Sequence, residues 1–581
     1  MNFLKNVLST LVALILFTVA AVFIGIVIIG ALSAEEPVVI KENSILHLKL
    51  TKPVTEMEKE NPFEELFPVS PETIGLIQVK EAISEAAEDN NIKGIYLEAP
   101  YIIAGIATVE ELRQSLIEFK NSGKFIVAYG EMYSEGSYYL ASAADKIYLH
   151  PEGDLEWNGL AANLTFFRGM LDKLRIEPQI FRVGEYKSAI EAYERKDMSP
   201  ENREQIEVLL TDINDAMVKN IAESRQIAID RAAEISEKML VRSPKDAADL
   251  KVIDGLLYED QVFDELKDLV GIEESEDLEF IKYNRYRKSY SNYSSSKNEV
   301  AVIVASGEIL PGQGDLNTIG GAKFSKEIRK ARLNAKVKAI VLRINSPGGS
   351  FLASDVLWRE ITLAAREKPV IASLSDVAAS GGYYMAMGCD SIVAHPNTIT
   401  GSIGIYSVIF NAGGFLNDKL GITTDEVSTG EVSALYTMDR PLNEQQKRII
   451  QNDTDQGYET FVTKAAAGRG TTVKAIKAVA SGRVWSGSQA INNGLVDIIG
   501  GLDIAVEVAA EKAEVSDDYK VKYYPRQKPF LEQLISDLEG DTQVKIMKDQ
   551  LGDLYPYVLE FKKVGRIKGL QTRLPFDLQI Q

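Results

Sequence analysis

Ser375-Asp376-Val377-Ala378-Ala379-Ser380-Gly381-Gly382-Tyr383-Tyr384 is the stretch on which the reading of this chain turns. It follows an apolar, strand-like run, Pro369 to Leu374, and leads into helix-compatible residues, Tyr384 to Met387. A serine among small residues at a strand-to-helix turn can present its hydroxyl at the end of a sheet. The two glycines after it let another backbone approach closely. The helix that follows directs unpaired N–H groups toward any oxyanion forming there. Upstream, Arg343-Ile344-Asn345-Ser346-Pro347-Gly348-Gly349-Ser350 reads as a strand running into a Pro-Gly-Gly turn with free backbone donors. Taken alone, each stretch also fits a turn that serves only packing.

Composition narrows the classes. The 581 residues allow two to four domains at roughly 150 residues each. Hydrophobic and charged fractions of 45% and 25% are those of a globular protein. A net charge of −20, with no basic stripe to offset it, argues against nucleic acid as a partner. Cys389 is the single cysteine, so no intrachain disulfide and no cysteine-ligated metal cluster can form, and it reads as a small buried hydrophobe. With His47, His150 and His395 as the only histidines, a multi-histidine metal site would need distant residues to converge. No metal and no cofactor is expected.

The chain carries no charge from Asn6 through Ala34, and the apolar run centred on Leu11 to Ile29 is long enough for a transmembrane helix across about 30 Å of hydrocarbon. A cleaved signal peptide is the rival reading, supported by Ala31-Leu32-Ser33-Ala34, but its apolar region is expected to span only about 7–15 residues. Lys5 precedes the run and Glu35-Glu36 follow it, which leaves the N-terminus in the cytoplasm and the body outside.

Beyond the anchor the chain repeats itself. Lys93-Gly94-Ile95-Tyr96-Leu97 matches Lys338-Ala339-Ile340-Val341-Leu342, 245 positions later. The same offset pairs Tyr138-Tyr139 with Tyr383-Tyr384, Asp145 with Asp390, His150-Pro151 with His395-Pro396, and Gly159 with Gly404. Matches without a gap indicate a duplicated domain. In the second copy Val300–Val304, Ala339–Ile344, Val370–Leu374 and Ile392–Ala394 alternate with helices that include Phe324–Leu333 and Leu352–Ala365. This predicts α/β units around a largely parallel sheet. The low-complexity stretch from Tyr286 to Lys297 reads as a linker. The expected division is an anchor segment (1–34), a first repeat (35–285), a linker (286–298), a second repeat (299–524) and an amphipathic tail (525–581). The tail carries apolar residues at helical spacing and fits a packing or oligomer-contact segment, while Val564 to Gln581 suggests no role.

The two copies differ where chemistry is expected. Ser380 falls opposite Glu135, and Pro347-Gly348-Gly349 falls opposite Ile102-Ile103-Ala104. The first copy therefore lacks both the serine and the glycine turn. His150 and His395 hold one repeat position, although only one copy has the serine, so they read as structural.

The serine and glycine stretches, in this order, resemble the ClpP/crotonase-type fold, and more narrowly the signal peptide peptidase A family of membrane-bound serine proteases. The resemblance covers the repeats and the anchor. It implies tandem ClpP/crotonase-like α/β domains and a Ser-Lys dyad with Ser380 as nucleophile. Arg182-Val183-Gly184-Glu185-Tyr186-Lys187-Ser188-Ala189, followed by Asp197-Met198-Ser199-Pro200, resembles the lysine segment of the double-length peptidases and marks Lys187 as the general base. In the second copy Thr429-Gly430-Glu431-Val432-Ser433-Ala434 puts Ser433 opposite Lys187, so the two losses are complementary. The lysine must be neutral to serve, which requires its pKa to fall by roughly three units from about 10.4, and burial is the natural cause. Backbone N–H groups of Gly349 and Gly381 are the expected oxyanion hole. The resemblance also implies that Ser402 hydrogen-bonds the lysine; a plain turn residue is the other reading. It implies signal peptides and similar apolar peptides as substrates, a ring-like homotetramer, and a body on the periplasmic side of the inner membrane. A crotonase-fold hydratase acting on acyl-CoA and a non-catalytic membrane-tethered scaffold are the competing readings.

Overall fold

Runs of β-branched and aliphatic residues become the buried strands of two largely parallel sheets, because a strand covered on both faces has no polar side to show. The computed structural model describes residues 38–58, 73–290, 295–315, 317–525 and 569–574, with isolated positions between 10 and 20. The apolar run Leu11–Ile29, but for those positions, and the tail from 526 to 568 lie outside the described residues. Among the described residues no helix is long and apolar enough to cross a membrane.

In the first half, β1 (Ser44–Lys49), β2 (Ile92–Glu98), β3 (Phe125–Tyr133), β4 (Lys146–Leu155), β5 (Gly255–Leu256) and β6 (Phe280–Lys282) form a parallel sheet in the order β5-β4-β3-β2-β1-β6. Helices α1 (Leu76–Glu88), α2 (Ile106–Lys120), α3 (Glu135–Ala141) and α4 (Pro200–Arg225) belong to the same half. In the second half, β7 (Glu299–Ser306), β8 (Val337–Ser346), β9 (Val370–Ala379), β10 (Ser391–Ala394), β11 (Ile399–Gly401), β12 (Val484–Ser486), β13 (Ile498–Ile499) and β14 (Lys520–Tyr524) share one sheet. Its parallel path β13-β10-β9-β8-β7-β14 repeats the first order strand for strand. Helices α5 (Gly321–Leu333), α6 (Phe351–Ala365), α7 (Gly381–Ala386) and α8 (Glu444–Gly468) accompany it. The strands and helices expected from the apolar pattern lie inside these elements, with ends shifted by a few residues. The helix expected after the serine turn begins at Gly381, with Ser380 as its N-cap.

Each sheet has its own core. Ile95, Leu97, Ile126, Ala128, Tyr138 and Trp157 are in the first, and Ile340, Leu342, Ala372, Leu374, Tyr383 and Tyr384 in the second. The first core also takes in Ala379, Ile399, Val484 and Leu574, so the halves share an apolar contact directly behind the serine. Burying each large aliphatic side chain contributes about 1.5–3 kcal/mol, which makes this contact a substantial adhesive. The segment expected to be a linker begins with Tyr286 buried on the first half, its hydroxyl donating to Asp89 Oδ2 at 3.1 Å.

A third, mixed sheet crosses between the halves. Strand Glu177–Val183 of the first pairs antiparallel with Ile405–Asn411 of the second, in the register Val183↔Ile405. Ile405–Asn411 pairs at Tyr406 with Gln571–Arg573, which in turn pairs with Gly348–Ser350.

Candidate active site

The cross-half pairing determines where Lys187 goes. With Val183 opposite Ile405 in an antiparallel ladder, the residues just after Val183 run beside those just before Ile405. Lys187 thereby reaches Ser402 and, beyond it, the end of β9. Its Nζ lies 2.8 Å from Ser380 Oγ, 3.0 Å from Ser402 O and 3.0 Å from Ser402 Oγ. The lysine and both serines are fully buried. Burial alone holds the Lys187 ammonium well below the ordinary lysine range.

A neutral amine has two hydrogens and one lone pair. Ser402 O can only accept, and Ser402 Oγ can accept as well, so these two take the hydrogens. The lone pair is left for the Ser380 hydroxyl to donate into. With Ser402 Oγ accepting, the Ser380 hydroxyl is the donor to the neutral amine.

Local backbone geometry presents the serine. Ser380 is the N-cap of α7 with φ 55° and ψ −110°, a conformation that L-residues seldom adopt. Its N–H donates to Gly401 O at 2.8 Å, which ties the turn to β11. Ser402 also has a positive φ, 51°, and its N–H donates to Arg483 O at 2.7 Å. Strain of this kind persists only where the surroundings enforce it, and Ser380 and Ser402 both touch the same lysine.

The proposed oxyanion glycines are adjacent to this turn. Gly381 opens α7, where a helix leaves its N–H groups without intrahelical partners. Gly349 pairs with Ile309 on one side and Thr572 on the other. A Cβ on Gly348, whose φ is 98°, would lie 2.7 Å from Gly381 N, so it is Gly348 that closes against the serine turn.

The histidines are elsewhere. His47 Nε2 faces Glu98 at 3.0 Å, His150 meets the Tyr258 ring edge-to-face, and His395 Nε2 stands 3.4 Å from Glu111. Ser433, opposite Lys187 in the repeat, is exposed in a loop. Ser199 in Asp197-Met198-Ser199-Pro200 caps α4, accepting from Asn202 N at 3.1 Å, so this part of the motif builds the helix behind the lysine. From that helix Gln205 Nε2 donates to Tyr186 O and Ser188 Oγ on either side of Lys187.

Two features of the site escaped sequence reading. Gly482 walls the lysine: a Cβ there would lie 2.6 Å from Lys187 Cβ, and its φ is 78°. Only the small-residue turn Ser481-Gly482 hinted at it. The second is Gln571–Arg573, which lies between the glycine turn and Ile405–Asn411, with Thr572 Oγ1 donating to Gly349 O at 3.1 Å and Leu574 N to Pro347 O at 2.6 Å. Leu570, just before it, lines a cavity of about 430 Å³ with Phe351, Ile450 and Gly457. This end of the tail, for which the sequence suggested no role, pairs with the glycine turn.

The family model described as Peptidase family S49 matches residues 118–273 and 362–516. Serine protease SPPA, chloroplastic, of Arabidopsis thaliana is 36% identical over 78% of this chain and 68% of its own length. Protease 4 of Salmonella typhi is 36% identical over 81% of this chain and 77% of its own. A putative signal peptide peptidase SppA of Enterococcus faecium is 32% identical over 34% of this chain and 58% of its own.

Proposed function

This chain belongs to peptidase family S49 and is a serine peptidase, and we propose that it is an endopeptidase with Ser380 as nucleophile and Lys187 as general base. The observation that carries the assignment is the 2.8 Å contact between Lys187 Nζ and Ser380 Oγ inside a fully buried site. Ser380 Oγ attacks the scissile carbonyl carbon while its proton passes to the Lys187 lone pair. Backbone N–H groups of Gly381 and Gly349 receive the oxyanion. Lys187 then returns the proton to the leaving amine, and the acyl-enzyme forms. A water that gives its proton to Lys187 attacks the ester, and Ser380 regains a proton as the acid product leaves. Ser402 keeps the amine aimed throughout, accepting through its carbonyl and its hydroxyl.

Signal peptides released from precursors, and similar apolar extended peptides, are the proposed substrates, in line with the resemblance of the lysine and serine segments and with the names of the relatives. Anchoring by Leu11–Ile29, with the body on the periplasmic face of the inner membrane, and assembly as a homotetramer complete the proposal. Mass spectrometry of a synthetic signal peptide incubated with the chain tests it. Internal cleavage is expected, and none by Ser380→Ala; an intact peptide with both proteins would overturn the substrate assignment.

A further inference from the structure

Strand β9 carries Ser380 at its end, but it does not run straight to it. Its register against β8 shifts between Ile344↔Leu374 and Ser346↔Ala378, so Asn345 alone faces Ser375, Asp376 and Val377. This is a β-bulge with extra residues on the serine strand. What fills it comes largely from the other repeat.

Asp376 Oδ1 accepts from Thr108 N at 2.8 Å, and Oδ2 accepts from Thr108 Oγ1 at 2.7 Å and Asn345 Nδ2 at 3.2 Å. Val377 N donates to Asn345 Oδ1 at 3.3 Å. Ser375 Oγ meets Glu56 of the first repeat and Arg343 Nη2 of β8. Arg343 is itself held by Glu56 at 2.8 Å and by Glu111 at 2.6 Å, both from the first repeat and both buried with it. Thr108 is the third residue of α2, whose N-cap Gly105 provides no side-chain cap. Asp376 therefore satisfies an orphan N–H of a helix in the other repeat, as a cap residue would. Gly105 leaves room for this: a Cβ there would come within 2.2 Å of Asp376 Cγ.

We propose that Thr108 is a positioning residue for Ser380, acting through Asp376 to hold the bulge that sets where β9 ends. The proposal rests on the peptidase reading of the same site. A strand advances about 3.3 Å per residue, so a one-residue slip would move Ser380 by more than its 2.8 Å contact with Lys187 Nζ. The first repeat thus contributes twice to one site, with the lysine beside Ser380 and with the threonine that fixes the phase of its strand.

The test uses the full-length chain and two readouts, hydrolysis of a neutral chromogenic peptide and the rate at which a fluorophosphonate labels Ser380. Thr108→Val keeps the shape and the N–H bond but removes the hydroxyl donor. It is expected to lower kcat and the labelling rate on the order of tenfold, with KM within about twofold. Thr108→Ser restores the hydroxyl and is expected to recover both. Gly105→Ala, which presses on the carboxylate from the other side, is expected to reproduce the loss. Wild-type kcat and labelling rate in Thr108→Val would overturn the proposal. So would a fall in the amount labelled at an unchanged rate, which reports partial unfolding only. Absence of labelling and hydrolysis in the unaltered chain would instead remove the peptidase reading itself.

Discussion

The two repeats share one parallel strand order and differ at the turn that holds the serine. In both, the strand that follows α2 or its counterpart α6 leads directly into a short helix. In the first, Ser134 caps α3 with φ −70° and ψ 165°, an ordinary extended conformation. In the second the cap is Ser380 at φ 55° and ψ −110°. Glu135, at the repeat position of Ser380, turns its carboxylate onto Asn158 N and Gly159 N, each at 3.2 Å. Gly159 is the counterpart of Gly404, which in the second repeat packs against Lys187. In the first repeat the turn is extended, and the position of Ser380 is taken by a carboxylate fixed on two backbone N–H groups. The strained turn is therefore no requirement of the fold; it belongs to the site.

The largest effect comes from removing the serine of the second repeat or the lysine of the first. Ser380→Ala is expected to reduce hydrolysis by about ten-thousandfold or more, with the folded chain intact, and Lys187→Ala to do nearly the same. Because both groups meet within one chain, mixed oligomers of the two variants should stay inactive. Recovered hydrolysis in the mixture would show that lysine and serine meet across subunits.

The next effect is graded by pH. Only neutral Lys187 accepts a proton, and below its pKa the neutral fraction falls about tenfold per pH unit. The rate should rise with pH and level off well below the ordinary lysine value, since burial favours the neutral form. The folded chain then binds fewer protons than the unfolded one between the lowered and the ordinary value, so this group makes stability rise with pH there. A rate that keeps rising to about pH 10.4 would mean an unperturbed lysine.

Much of this was legible in the sequence. The duplication was visible because identical residues recur at one offset within identical elements, as in Lys93–Leu97 and Lys338–Leu342. Ser380, Lys187 and Ser402 meet as expected, since each stood in a recognisable segment. Gly348 and Gly349 are neighbours in the quoted Pro-Gly-Gly turn, and that Gly348 is the one packed against Gly381 depends on φ values that composition does not carry. Arg343 and Asp376 stood inside the quoted stretches, yet their partners Glu56, Glu111 and Thr108 are hundreds of positions away and become neighbours only when the repeats dock. Gln571–Arg573 is too short for any alternation, and its pairing with Gly348–Ser350 closes a loop of more than two hundred residues.

A third effect, smaller again, probes the wall that Gly482 sets against Lys187. Gly482→Ala places a Cβ within 2.6 Å of Lys187 Cβ at a φ of 78°. The backbone there cannot yield without moving the lysine, so kcat is expected to fall roughly ten- to a hundredfold with KM little changed. Equal losses in kcat and in the amount of folded protein would assign the glycine to stability instead.

The smallest effect on activity is expected on the silent side of the comparison. Burial raises the Glu135 carboxyl above its ordinary value, and the bonds from Asn158 and Gly159 only partly offset this. The folded chain then binds more protons at this group than the unfolded one, so stability falls as pH rises from the ordinary glutamate value through the raised one. Glu135→Gln removes the charge and keeps an acceptor for the two N–H groups. Its melting temperature should equal that of the unaltered chain below about pH 4 and exceed it at neutral pH, while peptide hydrolysis stays unchanged at both. The rate is the decisive reading, because it asks whether the first turn has kept any part in catalysis. A loss of kcat in Glu135→Gln, without loss of folded protein, would show that the carboxylate still serves the site across the repeat boundary, and the contrast between a working and a silent copy would fail.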